Sequence, residues 1–345
     1  MYSAYNDSSV NLYFLLMSII YVKILFSIGA FSDCLDIGYN VLNVLDEEKI
    51  QAIKFDNSII SVDEFRMLVS ECVGYIALVD VITMKEDVGE FLTTANKLLP
   101  FLPQTYNIFV SLQNLIMGKP VNINELQSGE DMFSEIILHI INAFVRFKDK
   151  PNEFAQEIYK SKLFAKVTMI YPLELFADLM IGYAYIQLNS YRKASAIIYK
   201  IIKYTKLKGM NAIVHLAWYV MSILNIKQGK LDLAYGVLNN SDIQMEKNGV
   251  TSDYLTMLNK INMYKVLQNT GSIEQAQICI EQATHIAKKY GINFNLNVDN
   301  QDIMKDNAEV ELEQNELDTI YPPDEDEKSP QPKEEDVVNP KEFFD

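Results

Sequence analysis

Apolar residues recur at helical spacing along most of this chain, and the densest run comes first. From Leu12 to Phe31 the sequence is almost unbroken apolar, with Lys23 in its middle. Twenty helical residues span about 30 Å, the thickness of a bilayer core, so the run reads either as a buried hairpin helix or as a membrane anchor. A mid-run charge costs about 2.5–3.5 kcal/mol on insertion scales. No basic residue precedes the run to give a signal-peptide n-region or a positive-inside flank. Gly29-Ala30-Phe31 leads straight into an amphipathic stretch, Ser32 to Leu42, so the hairpin reading is preferred. A beginning this apolar, with no polar capping helix before it, implies a preceding N-terminal part.

Residues 45–60, with Asp46-Glu47-Glu48-Lys49 and Asp56-Asn57-Ser58, read as a connector. Ser61 followed by Glu64 is a capping box, opening a helix through Phe65, Leu68, Val69, Cys72 and Tyr75 towards Met84. A further helix is expected over Glu86–Leu99, ended by Pro100 and Pro103. Tyr106–Met117 has helical spacing up to Gly118-Lys119-Pro120, Val121–Gly129 reads as a loop, and Asp131–Phe147 carries a broad apolar stripe. Pro151 starts another helix, and Pro172 starts a block of helix pairs reaching Tyr290. No stretch alternates with period two for long enough to make a strand, so the chain is expected to be all-α. After Ile292 periodicity fails. Five prolines (Pro322, Pro323, Pro330, Pro332, Pro340) and sparse apolar residues imply disorder, with a short helix admitted only around Val310–Leu317.

The helix pairs share a pattern. Gly182, Tyr185, Tyr191 and Ala194 take positions 8, 11, 17 and 20 of a 34-residue unit; Trp218, Gly229, Ala234 and Leu238 take positions 4, 15, 20 and 24 of the next; Gly271, Ala276, Ile280 and Ala283 take positions 15, 20, 24 and 27 of a third. A small residue at position 20 lets the paired helices approach closely, and large residues fill the space between pairs. In this the sequence resembles the tetratricopeptide repeat family. Ala194 to Ala234 is 40 residues, Ala234 to Ala276 is 42, and no unit has the family's proline at position 32. The hairpin around Gly29, Phe31 and Cys34 is a fourth candidate, with cysteine as its small residue. The resemblance implies a right-handed superhelical α-solenoid with lengthened units, binding peptides or helices of other proteins. The expected divisions are 1–170 for N-terminal hairpins, 171–292 for the repeats and 293–345 for the acidic tail.

Composition refines this picture in two places. Hydrophobic residues make up 49% of the chain, enough for a large core. The net charge of −16 sits mostly at one end: residues 301–345 carry 16 Asp and Glu against 4 Lys, while the first 300 carry 30 acids against 26 bases. Neither part has the basic footprint of a nucleic-acid binder. Cys34, Cys72 and Cys279 form no CxxC pair, which suits reduced, buried thiols in the cytoplasm.

Candidate chemistry is sparse. His139, His215 and His285 have no second His or Cys at i+3 or i+4, so no zinc site is expected. No phosphate-cradling glycine loop or nucleophile elbow occurs. No enzyme activity and no cofactor or metal are therefore expected. One basic cluster stands out on the first repeat: Arg192, Lys193, Lys200, Lys203, Lys206 and Lys208, with Lys160, Lys162 and Lys166 shortly before. It is either a solvated helix face or a surface for an acidic ligand, from a partner or from the chain's own tail. The partner-binding positions expected on the inner face are Tyr185, Arg192, Lys193 and Lys227. At the C-terminus, Phe343 and Phe344 in acidic surroundings resemble the first positions of an FFAT-type motif, which engages VAMP-associated proteins. The reading is a cytoplasmic scaffold or adaptor in a hetero-complex. Its alternative is a membrane-associated trafficking or organelle-contact factor anchored by residues 12–31.

Overall fold

The computed structural model describes residues 12–44, 60–83, 103–127, 132–250 and 252–293. Among these residues there are twelve α-helices, one 3-10 turn (Ile123–Glu125) and no strand. The helices are α1 (Leu12–Ile28), α2 (Phe31–Val44), α3 (Val62–Ile82), α4 (Pro103–Ile116), α5 (Met132–Arg146), α6 (Pro151–Val167), α7 (Tyr171–Gln187), α8 (Tyr191–Lys208), α9 (Asn211–Lys227), α10 (Leu231–Asn248), α11 (Asp253–Asn269) and α12 (Ile273–Tyr290). Each packs on the next described helix along most of the chain, in an arrangement consistent with an α-solenoid. The connector at 45–59, the helix expected over Glu86–Leu99, the acidic tail and its Phe343 and Phe344 lie outside the described residues. Pro103 starts α4 rather than ending a helix, as its preset φ and missing N–H allow at N1.

Local signals explain the helix ends. Ser61 accepts from the Glu64 backbone N–H, while Glu64 Oε2 accepts from the Ser61 N–H at 2.8 Å, closing the capping box. From α6 onward, every helix ends through one residue with positive φ: Met169, Asn189, Gly209, Gly229, Gly249, Gly271 and Gly291. In each case the following N–H reaches the carbonyl five residues back, as Met210 does to Thr205 and Val250 to Met245, which is the Schellman arrangement. These punctuation points fall 20 residues apart, with one interval of 22, so the true unit is a 17- or 18-residue helix plus a short turn. The 40- and 42-residue spacing follows from that length.

Met169 is the costliest of these turns, because its Cβ crowds the backbone at φ 57°. It is exposed, so its side chain supports little core. Met169→Gly is expected to stabilise the chain by about 1 kcal/mol, read as a raised denaturation midpoint. An unchanged or lowered midpoint would show that the turn carries no strain.

The helices fall into layers. In the inner layer α9 touches both α7 and α11, each also packs on its hairpin partner, and all three are buried on nearly every side. α8, α10 and α12 each bury a narrower stripe. The small residues do what their positions require: Ala194, Ala234 and Ala276 are fully buried, and a Cβ on Gly182 would meet Ile197 at 3.4 Å.

The array also bends back on itself. α1 packs on α9, and α3 on α11. The turn at Gly29 sits against the backbone of Ala212 and the side chain of Val250. At the far end the Asn293 N–H donates to the Met117 carbonyl at 2.9 Å, and a Cβ at Gly118 would run into the Asn293 carbonyl oxygen. One core cluster consequently runs from α1 through α11, across residue 170. Through its middle passes a chain of rings: Phe31, Phe26, Tyr75, Phe133 and Phe109, with neighbouring centroids 4.8–6.4 Å apart.

Lys23, which weighs against a membrane span, is used inside this fold. Its ammonium pairs with Glu71 of α3 at 2.8 Å, and Tyr75 donates to the same carboxylate oxygen at 2.7 Å. Among the described residues, no helix is long and apolar enough to cross a membrane.

Candidate interaction surface

Several ionisable residues of the core are held by defined neighbours. His139 Nδ1 lies 2.7 Å from Glu157, which also takes Lys160, and the ring stacks on Phe164. His215 is 1% exposed, bonded to Ser241 through Nδ1 at 3.3 Å and packed edge-on to Trp218. Burial lowers its pKa to about 4. All three cysteines are buried and unbridged. Burial, then the charge of Asp80, raises the Cys34 thiol to about 12, so it stays protonated. Among the described residues, no three His, Cys, Asp or Glu side chains converge where a metal could sit. The recess of about 640 Å³ between α4 and α12 has Lys288 as its only ionisable lining residue.

Two surfaces remain. The first is the outer side of α1. Tyr13, Met17, Ile20, Tyr21, Ile24 and Ile28 are all exposed and follow helical spacing, while Leu12, Leu15, Ile19, Val22, Leu25 and Phe26 fill the core. α1 is thus apolar on both sides, and only one side is covered within the described residues. No charged side chain interrupts the exposed stripe, because Lys23 turns aside to Glu71.

The second surface belongs to the outer layer. From Leu179 to Leu231 the sequence contains no Asp or Glu, yet it holds eight Lys and Arg. α8 carries most of them on its exposed side. Antiparallel pairing splits these charges between two edges of the array. Arg192 and Lys193 in the first turn of α8 share one edge with Lys227 in the last turn of α9 and with the end of α7. Tyr185 lies at that edge but is 2% exposed, a core residue rather than an inner-face contact. α7 is buried on nearly every side, and the Lys193 ammonium lies 5.7 Å above the Tyr185 ring. Arg192 is exposed, while Lys193 and Lys227 are half-buried.

The opposite edge is the more basic one. α8, α10 and α12 run the same way and each ends in lysine: Lys206 and Lys208, Lys247, then Lys288 and Lys289. All five are exposed. The signal was present in the sequence: Lys206, Lys247 and Lys288 recur every 41 residues, beside the αL glycines.

No protein-family model matches the sequence, and no curated protein is significantly similar to it. The fold itself therefore carries the classification, as an all-helical array of antiparallel hairpins consistent with an α-solenoid.

Proposed function

We propose that this chain is a scaffold or adaptor subunit of a larger cytoplasmic protein assembly, with a tetratricopeptide-like architecture. The observation that carries the reading is the exposed stripe of α1, which places six large apolar side chains on one helix face without a charge. Contiguous apolar surface of this kind marks an interaction site. The occupant that fits is an apolar helix of a partner protein, packed as one more layer, since α1 already packs on α2, α3 and α9 with its other side. Burial of each such side chain contributes about 1.5–3 kcal/mol before ordering costs.

Ile20→Glu with Ile24→Glu tests this without touching the core, because both positions face outward. The tagged full chain should lose its stoichiometric co-purifying subunits while keeping its circular dichroism and unfolding midpoint. If wild type and variant retain the same partners, the α1 reading fails. If wild type floats with liposomes and the variant does not, the membrane-associated alternative takes its place.

A further inference from the structure

The lysine-tipped edge of the outer layer has no use in the α1 reading, and a different part of the chain complements it. We infer that residues 301–345 dock in cis along the edge formed by the C-terminal ends of α8, α10 and α12, with Lys203, Lys206, Lys208, Lys247 and Lys288 facing the acidic segment.

A single lysine in a last turn is ordinary, since it offsets the negative end of the helix. Here three successive helices of the outer layer end this way, so same-sign charges stand about one repeat apart along one edge. The local acids offset them only in part, since Glu246 beside Lys247 is one exposed carboxylate at this edge and the others are engaged. Asp253 takes Lys289 at 3.1 Å and Asp242 takes Lys260 at 2.8 Å. Lys203, Lys208, Lys247 and Lys288 have no carboxylate partner among the described residues. The edge also offers apolar anchorage: Leu207 is 76% exposed, the highest value of any large apolar residue described, and Tyr204 and Ile243 are exposed nearby.

The segment matches in charge, in side-chain type and in reach. It carries 16 acids against 4 lysines, and sets Ile320-Tyr321, Val337-Val338 and Phe343-Phe344 among them. The chain leaves the array at Asn293, immediately after α12 and at this same edge. Residues 293 to 301 extend up to about 27 Å. Counted through the packed helices α12, α11, α10, α9 and α8, the span is at most four helix-packing distances, about 40 Å, well within the reach of the 45 residues that follow. The acids can therefore lie along all three helix ends without disturbing the fold. Such a contact would weaken with salt, because its charges are exposed.

The test is lysine acetylation of the full chain, followed residue by residue by mass spectrometry. It compares wild type with a variant in which Asp324, Glu325, Asp326, Glu327, Glu334, Glu335 and Asp336 are changed to their amides. At about 20 mM salt, Lys203, Lys208 and Lys247 should react about threefold faster in the variant, and about 0.5 M salt should remove the difference. Lys150 and Lys230, exposed at the opposite ends of the outer helices, should react equally in both. Equal rates at the edge lysines, or a change spread over every lysine, would overturn the inference. Protection that disappears on dilution would also overturn it, since the contact would then lie between two copies.

Discussion

Phe133→Ala is expected to lower the unfolding free energy by about 3–5 kcal/mol, and to do so for both ends of the array at once. Phe133 is 2% exposed, edge-on to Tyr75 at 5.0 Å and stacked on Phe109 at 6.0 Å. It also lies directly over Gly74, where an added Cβ would sit 2.5 Å from the ring. Truncation would leave a ring-sized cavity between α3, α4 and α5. In an open repeat array each unit contacts only its neighbours, so such damage stays local. This array is closed by α1 on α9, by α3 on α11 and by the bond from Asn293 to Met117. Trp218 of α9 is the chain's only tryptophan and reports on the repeats. Its fluorescence midpoint in urea should shift together with the far-ultraviolet circular dichroism. A Trp218 transition left in place, beside a lost first portion of the dichroism signal, would show that the two ends unfold separately.

That closure is also the part of the fold that the sequence did not disclose. Helix starts were legible because each rests on a local device: Ser61 with Glu64, Pro151, and Pro172 in the first turn of α7. The repeat length was legible only in part. Gly229, Gly271 and Asn189 are residues that suit a left-handed turn, but Met169 occupies the same position without a residue that signals it. A 34-residue template therefore fitted the positions and missed the 20-residue rhythm. Contacts such as α1 on α9 join residues about 200 apart, and no periodicity encodes them. Tyr185 illustrates the same gap at a single residue. Its repeat position places it on the inner side, but that side is core, because the layer of α7, α9 and α11 is covered on both faces. The α1 run errs in the opposite direction: almost unbroken apolar, it reads as a buried helix, and six of its 17 residues are exposed. The basic edge could have been found by asking where lysines recur with the repeat, since burial plays no part in that pattern.

His215 should make the array acid-sensitive within a definite window. It bonds through Nδ1 to Ser241, which also accepts from Asn259 at 3.3 Å, while Asn262 donates to Ser222 at 3.2 Å. These bonds fix how α9, α10 and α11 register against each other. Nε2 of His215 has no partner, and burial holds the ring neutral by lowering its pKa from 6.5 to about 4. The sign follows from proton uptake. Between pH 6.5 and about 4 the unfolded chain binds a proton at this residue that the folded chain refuses, so stability falls as pH falls through that range. Above pH 6.5 the contribution is fully present, and below about 4 the loss is complete. A displacement of this size corresponds to about 3 kcal/mol. His215→Gln is neutral at every pH and removes this component, although it costs some stability at pH 7 through altered packing beside Trp218. The difference in unfolding free energy between wild type and variant should therefore shrink as pH drops from 7 to 4.5. A difference that stays constant, or a His215 ring proton that titrates near 6.5 by NMR, would mean that the ring is not held neutral by the hairpins around it.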